Sequence, residues 1–219
     1  MESRRIYRHF CMTARALEVV GERWSLLIVR ELLFGPRRFT DLSRSLAEIT
    51  PTRLSNRLRQ LETAGIVVRE PPVKGREVWY RLTEAGMDLA PAVDALTLWG
   101  IEHALEPPRP DEPAPVVPVM LGTKVWLGLN AGDLGHRAVW VWRFPADESY
   151  TLRFEGNGWE LSRGEVNAAE VTVETTPKRW ARFLTTRRGS RRVTRDIRLL
   201  GEPASIAEFA EAFAVAVRR

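Results

Sequence analysis

Side chains with guanidinium, amide and hydroxyl groups lie between Thr50 and Thr63, at positions between regularly spaced leucines. Leu54, Leu58 and Leu61 recur at i, i+4 and i+7, which predicts the buried side of an α-helix. Arginine can pair with O6 and N7 of guanine, asparagine with N6 and N7 of adenine, and hydroxyl groups suit phosphates or bases. The outward faces of this helix are therefore predicted to contact double-stranded DNA through Thr50, Thr52, Arg53, Ser55, Asn56 and Arg57, beside Arg59 and Gln60. Taken singly, any of these arginines suits an ordinary solvated helix face equally well.

Further basic groups flank this helix in the sequence. Arg37 and Arg38 come shortly before a predicted helix start, and a helix N-terminus is a favourable place for a phosphate. Lys74 and Arg76 lie in the turn-forming stretch "PPVKGR", from which they could reach the DNA backbone or the minor groove. Between residues 37 and 81 there are ten basic and five acidic residues, an excess of five that equals the net charge of +5 for the whole chain. Positive charge is thus concentrated around the predicted contact surface.

Helices and a hairpin are predicted to hold these groups in place. The first helix spans Phe10–Val20 with Leu17 on its inner side, and Gly35 ends the second. Thr40 is the predicted N-cap of the third helix and a further predicted DNA contact, and Thr50 is the N-cap of the fourth. "IVVRE" and "EVWYRL" form a hairpin, which acts as a wing. A last helix after the hairpin carries apolar residues near one side, at Leu89, Val93, Leu96 and Trp99.

A proline-rich stretch divides the chain. Residues 106–118, "EPPRPDEPAPVVP", hold six of the 14 prolines, and proline can continue neither a helix nor a central strand. We interpret this stretch as a linker between a winged helix-turn-helix unit at 1–105 and a second unit at 119–219. The second unit has four short strands, a helix from Pro177, a fifth strand and a closing helix with one apolar side, formed by Ile206, Phe209, Ala210, Phe213 and Val217. An antiparallel sheet with segregated helices makes the predicted fold class α+β.

Several motifs of the first unit occur in a fixed order. They are Cys11, "GERW" at 21–24, "GPRRFTDL" at 35–42, "RLSNRLRQLETAG" at 53–65, "YRLTEAG" at 80–86 and Trp99. Together they resemble the HxlR-type, MarR-like winged-helix transcription regulators. The resemblance implies a homodimer on a palindromic operator, with the early N-terminal helix and the helix after Thr83 in the dimer interface. The two recognition helices of such a dimer would lie roughly 34–36 Å apart, one turn of DNA.

Five of the eight tryptophans lie in the second unit, at Trp126, Trp140, Trp142, Trp159 and Trp180. They either pack a hydrophobic core or line an apolar cavity that binds a small molecule. The stretches "YTLRFEGNGWELSRG", "AEVTVETTPKRWARFL" and "DIRLLGEPASIAEFAEAF" resemble the sterol-carrier-protein-2-like domain found behind some HxlR-type regulators. The resemblance implies a pocket for a lipid-like or other apolar effector, with these tryptophans as ligand-binding candidates.

The segment from Arg187 to Arg198 is more basic than such a domain would require. It carries six arginines and one acidic residue. Three interpretations remain open for it: a solvated surface, a second DNA contact, or a site for the anionic head group of a ligand.

Cys11 matches the position of a cysteine that several members of the resembled family use to sense oxidants or electrophiles. It lies near a predicted helix start, with Arg8, His9 and Arg15 close in sequence. Positive charge and a helix N-terminus lower the pKa of a thiol, which is the condition that a redox-sensing role requires. The alternative is a small buried apolar residue at the dimer interface.

Composition excludes other classes of site. A single cysteine allows no intramolecular disulfide, and the three histidines are far apart in sequence, so no metal site is predicted. No catalytic motif and no phosphate-binding glycine loop occurs, so we predict neither enzymatic activity nor a cofactor. No membrane-spanning apolar run or signal peptide is apparent, which predicts a cytoplasmic location and no membrane partner. The competing function is a lipid-carrier module whose winged helix contacts another protein.

Overall fold

The computed structural model describes residues 7–70, 77–104, 106–131, 134–185 and 197–214. The chain divides into an N-terminal unit, Met1–Val93, and a C-terminal unit, Asp94–Arg219. This division falls upstream of residues 106–118, the stretch predicted as a linker. Within the described ranges no helix is long and apolar enough to span a membrane.

The N-terminal unit combines helices with a small antiparallel sheet. Its strands lie in the order β1–β3–β2, so that β3 pairs with both neighbours. The wing predicted from the sequence consists of β2 and β3. Along the chain the elements are α1 (Met12–Val20), α2 (Ser25–Leu32), β1 (Arg37–Arg38), α3 (Phe39–Ser45), α4 (Pro51–Thr63), β2 (Val67–Glu70), β3 (Trp79–Leu82), α5 (Glu84–Met87) and α6 (Ala90–His103), the last of which contains the division between the units.

Helix α4 forms as its sequence predicts. The Thr50 hydroxyl accepts a hydrogen bond from the backbone N–H of Arg53 at 3.4 Å, and Pro51 occupies the first turn, where a missing N–H costs nothing. Three leucines, Leu54, Leu58 and Leu61, are buried. Gly65 follows with a φ of +72°, a conformation that favours glycine and ends the helix.

The third helix begins earlier than predicted. Thr40 was expected to cap it, but α3 starts at Phe39 and Thr40 lies inside its first turn. The backbone N–H of Arg38 donates to Asp41 Oδ2 at 3.3 Å. The chain before α3 is extended because Arg37 and Arg38 pair with β3 as strand β1, which was not predicted. The prediction that Thr40 is the N-cap is therefore wrong.

Two helices of this region differ from the predicted pattern. Leu17 was expected on the inner side of α1 but is 44% exposed, whereas Ala14 and Val20 are buried. In the region after the hairpin, Val93 is buried, but Leu96 and Trp99, which were predicted near the same side, are exposed. In both helices, therefore, fewer apolar residues are buried within a single chain than the apolar pattern predicts.

The single helix expected after the hairpin is divided into α5 and α6. The Thr83 hydroxyl accepts from the backbone N–H of Gly86 at 3.1 Å and caps α5. Helix α6 begins afresh at Ala90 with Pro91 in its first turn, a position in which proline breaks no hydrogen bond. Pro91 therefore lies at the start of a second helix.

The C-terminal unit contains a mixed sheet. Its strands lie in the order β6–β5–β4–β7–β8. The pairing of β4 with β7 is parallel and the other pairings are antiparallel, so the prediction of a purely antiparallel sheet is wrong. The elements after α6 are α7 (Val116–Asn130), β4 (Ala138–Phe144), β5 (Glu148–Phe154), β6 (Trp159–Arg163), β7 (Val171–Glu174), α8 (Pro177–Thr185), β8 (Arg198–Gly201) and α9 (Pro203–Ala214).

Helix α7 was not predicted. It begins at Val116, so residues 116–118 of the presumed linker are helical. Proline is tolerated at 118 because the first-turn N–H groups of a helix have no intrahelical partner. Apolar residues occur on all sides of α7, which leaves no 3.6-residue period to detect in the sequence.

The closing helix α9 buries a slightly different side from the predicted one. Phe209 and Phe213 are buried as expected, but Ala212 is buried and Ala210 is exposed. Val217 and the arginines from 187 to 195 lie outside the described residues.

Candidate functional site

The outward surface of α4 brings most of the predicted DNA contacts together. The side chains opposite the leucine stripe are exposed, because a helix of this length buries only one side against the rest of the unit. The turn between α3 and α4 spans residues 46–50, a helix-turn-helix arrangement. The predicted contacts and their neighbours that are exposed on α4 and its cap include Thr50, Thr52, Arg53, Ser55, Asn56, Arg59 and Gln60.

The arginines of α4 differ in what they contact. No described acidic group lies within ion-pair distance of the Arg53 guanidinium. Arg57 is only 14% exposed at its side chain and pairs with Glu22 Oε2 at 3.3 Å. Arg59 Nη1 donates to Asn56 Oδ1 at 3.3 Å. Arg53 is therefore open to solvent, whereas Arg57 is held by an acidic residue from the loop before α2.

The two arginines of β1 are also held by the protein. Arg37 is 7% exposed, although it was predicted to face a phosphate. Arg38 Nη1 pairs with Glu77 Oε1 at 2.7 Å, and its guanidinium lies 4.6 Å from the centre of the Trp79 ring. Arg38 thus joins β1 to the wing strand β3 and remains partly exposed. Lys74 and Arg76, predicted at the wing tip, lie outside the described residues.

Sequence reasoning missed the acidic partners in this region. Glu31 is buried and accepts hydrogen bonds from Arg30 at 2.8 Å and from the Ser45 hydroxyl at 2.6 Å, which joins α2 to α3. Glu22 and Glu77 hold arginines that the sequence offered as free DNA contacts. No local pattern signals the pairings of Glu22 and Glu77, because each joins residues that are distant in sequence.

Cys11 occupies the N-cap position of α1 and is partly exposed. The backbone N–H groups of Ala14 and Thr13 lower the pKa of its thiol, because they stabilise the thiolate at the start of the helix. Of the predicted basic neighbours, Arg15 pairs with Glu18 at 3.1 Å. The lowered pKa thus comes from the helix start.

Most of the tryptophans lie in the core of the C-terminal unit. Trp140, Trp142, Trp159 and Trp180 are buried and pack on one another or on Phe209. Trp180 Nε1 donates to Thr123 Oγ1 at 2.8 Å, and Trp159 Nε1 donates to the Ala131 carbonyl at 3.0 Å. The first of the two open interpretations, a packed core, describes these four residues.

A cavity of about 260 Å³ lies elsewhere in the same unit. It is bounded by the proline-rich segment and by parts of α7 and α8. Of the five tryptophans only Trp126 is among its lining residues. Across the described parts of the chain, no cluster of three or more His, Cys, Asp or Glu side chains could hold a metal ion.

Comparison with known proteins identifies the N-terminal half. Residues 19–107 match the family model described as HxlR-like helix-turn-helix. Over 100 residues the chain is 52% identical to Rv3095 of Mycobacterium tuberculosis, an uncharacterized HTH-type transcriptional regulator; the match covers 45% of this chain and 61% of that protein. The chain therefore spans about three fifths of that relative's length.

Two further matches cover larger shares of the related chains. An uncharacterized HTH-type transcriptional regulator of Methanothermobacter thermautotrophicus is 35% identical over 109 residues, which is 49% of this chain and 82% of that protein. The crystal structure of PA1607 matches with a TM-score of 0.43 and 37% identity, over 48% of this chain and 72% of that chain. The identity and coverage of the sequence matches establish that this chain belongs to the HxlR-like helix-turn-helix family of transcriptional regulators.

Proposed function

We propose that the chain is a homodimeric transcription regulator that reads DNA with α4 and the wing, and that an apolar small molecule bound in the C-terminal unit controls it. The exposed polar side of α4 carries the proposal, because it lies opposite the buried leucine stripe in a helix-turn-helix of this family. In such folds the second helix enters the major groove and the first crosses the DNA backbone.

Base contacts are assigned to the exposed groups of α4. Arg53 has its guanidinium available for the O6 and N7 atoms of guanine. The amide nitrogen of Asn56 can donate to adenine, and its Oδ1 accepts from Arg59 yet has a second lone pair. The hydroxyl groups and the partly exposed Arg38 contact phosphates in this scheme, through Thr40, Thr50, Thr52 and Ser55.

Arg57 contacts DNA only after it exchanges partners. Its guanidinium faces Glu22, so a phosphate must displace that carboxylate before it can bind Arg57. The two groups attract at 3.3 Å, but Glu22 is largely exposed, and exposed ion pairs are typically worth only about 0.2–1 kcal/mol. The polyanionic backbone of DNA can compete for an arginine held this weakly.

Exposed apolar side chains support the homodimer. Phe10 is 86% exposed, and Met12 and Leu17 on α1 are exposed as well. Leu96 and Trp99 on α6 are likewise exposed. Large apolar groups in such numbers favour burial against another surface, and the early and late helices are where the resembled regulators dimerise.

Dimerisation is tested by sedimentation of charged variants. Phe10→Glu should shift the full-length chain towards monomer, because it would place a carboxylate in the interface. Leu129→Glu, on the exposed side of α7, is the matched control and should leave the sedimentation coefficient unchanged. Equal behaviour of the two variants would contradict an interface at α1.

DNA binding is tested by anisotropy of a random duplex over a salt series. A protein that makes six to ten phosphate contacts loses on the order of 10³–10⁵ in affinity between about 50 and 200 mM salt. A flat salt response would favour the alternative function, in which the winged helix contacts protein. Footprinting on DNA that flanks the gene then identifies the operator.

Thiol sensing through Cys11 is a second candidate function, favoured by the lowered pKa at the start of α1. A thiolate at this position would react with electrophiles faster than a free cysteine at neutral pH. The rate of iodoacetamide labelling against pH measures this, and operator affinity before and after labelling tests the regulatory effect. Cys11→Ser is the control for modification elsewhere. Native protein that resists labelling excludes this function.

A further inference from the structure

The cavity of the C-terminal unit has the size and lining of a site for one compact ligand. We propose that it binds a small apolar molecule carrying a single positive charge, an inference that rests on the proposed effector-controlled function and assigns its site. The four core tryptophans take no part in this site, because they are buried against one another and against α9.

Volume limits the ligand to about one substituted ring. The cavity measures about 260 Å³. An empty apolar cavity of roughly 150 Å³ already accepts benzene, whereas sites for drug-sized ligands measure roughly 300–1,000 Å³. A sterol or a long acyl chain would exceed this space and would extend beyond it, whereas a single substituted ring fits within it.

The walls are apolar and restrained. Pro108, Pro115 and Pro118 line the cavity together with Val119 of α7 and Leu184 of α8. Lys178 Nζ on α8 donates to the carbonyl of Pro110, which fastens the proline-rich segment to α8. Prolines also restrict their own backbone, so little conformational entropy is lost when a ligand binds.

The charged groups at the cavity favour a cation. Glu106 and Glu112 are lining residues, and no described lining residue is Lys, Arg or His. Glu112 is oriented by a hydrogen bond from the Arg109 backbone N–H at 3.0 Å. Trp126 adds an aromatic wall, stacked on Phe213 with ring centres 4.9 Å apart. Carboxylates and an indole ring both attract a positive charge.

Calorimetric titration of the full-length chain with three matched probes tests the charge preference. Benzyltrimethylammonium is the cation, neopentylbenzene is its uncharged isostere, and phenylacetate is the anion. The cation should bind roughly two- to fivefold more tightly than the isostere, the range expected for exposed carboxylates. Phenylacetate should bind weakest. Anion binding equal to or tighter than cation binding overturns the proposal, and would point to the arginines that follow α8 in the sequence.

Two pairs of variants place the probe in the cavity. Gly122 lines it, and a Cβ added there meets no atom within 4 Å, so Gly122→Leu can occupy the space and should abolish binding. Gly128→Leu is the control, on the same helix and equally unobstructed but outside the lining. Glu106→Gln should lower the preference for the cation, whereas Glu160→Gln, at an exposed position of β6, should not. Unchanged binding to Gly122→Leu overturns the site.

Failure of this site is distinguishable from failure of the proposed regulatory function. Probe affinity is measured without DNA, and operator affinity is measured with and without probe. If a probe binds but operator affinity does not change, the ligand site is supported and the proposal that it controls DNA binding is rejected. If the chain binds the operator but none of the three probes, the proposed ligand site is rejected and the proposed DNA recognition is retained.

Discussion

The sequence offered two candidate binding surfaces, the outward side of α4 and the tryptophan cluster of the C-terminal unit. In the structure they differ in their exposure to solvent. Most polar side chains of α4 are exposed, whereas all five tryptophans of the C-terminal unit are buried. On α4 a single leucine stripe accounts for all the burial, so the rest of the helix must face outward. On β4 the consecutive residues Trp140, Val141 and Trp142 are all buried, so both faces of that strand are covered.

This difference teaches when a pattern of residues predicts a site. Periodicity shows which side chains lie on the same side of a helix or strand. For a helix that buries only one side, this is enough to predict which side chains are exposed. On a central strand it does not, because the helices that cover the second face are distant in sequence. The cavity lies instead where the proline-rich segment meets α7 and α8.

The largest expected effect is a loss of stability when a core residue of the C-terminal unit is truncated. Trp180→Ala should lower the free energy of unfolding of the C-terminal unit by about 3–5 kcal/mol, because it empties a fully buried site. Trp180→Phe, which keeps most of the ring and loses the hydrogen bond to Thr123, should cost less. Urea unfolding followed by near-ultraviolet circular dichroism measures both. If Trp180→Ala leaves stability unaltered and weakens ligand binding, Trp180 is a ligand contact and not a core residue.

The next effect sharpens the α4 side of the comparison. Arg53→Ala should cost about 1–3 kcal/mol on the operator and much less on random DNA if Arg53 reads a guanine. Anisotropy titrations on both duplexes give the two affinities. Arg137→Ala, an exposed arginine of the C-terminal unit, is the matched control. An equal loss on every sequence would make Arg53 a phosphate contact.

A smaller effect concerns the arginine that the protein already holds. Glu22→Gln removes the charged partner of Arg57 and should strengthen non-specific binding by about 0.2–1 kcal/mol, since the Glu22 carboxylate no longer competes with phosphate for Arg57. The salt dependence on random duplex should steepen slightly as well. Glu160→Gln makes the same change of charge in the C-terminal unit and serves as control. Identical responses of the two variants would assign the effect to net charge alone.

The smallest effect is a pH dependence at His136, an exposed residue that precedes β4. The Arg137 carbonyl, and after it the Glu208 carboxylate 2.6 Å from Nε2, raise the pKa of His136. A raised pKa means that folding favours the protonated form, so the stabilisation is complete below the ordinary pKa of about 6.5 and is lost as pH rises through the raised value. NMR titration of His136 should show the raised pKa and its decrease in Glu208→Gln. Equal values in both proteins would refute the role of Glu208.

Local elements were predictable where one signal dominated. Thr50 as cap, Pro51 in the first turn and Gly65 as terminator define α4 within its own sequence. The four short strands predicted for the C-terminal unit are β4 to β7. The strand β1 and the helix α7 were not predictable, because one forms only by pairing with β3 and the other is apolar on every side.

By itself the sequence determined the helix-turn-helix with its capped, single-sided α4, because caps, breakers and the leucine period act over a few residues. Only the tertiary structure decided that β7 runs parallel to β4, that Glu22 holds Arg57, and that the cavity involves Trp126 and not the other four tryptophans. Each of these depends on residues far apart in the chain, whose pairing is set by which packed arrangement buries the most apolar surface while leaving its polar groups bonded.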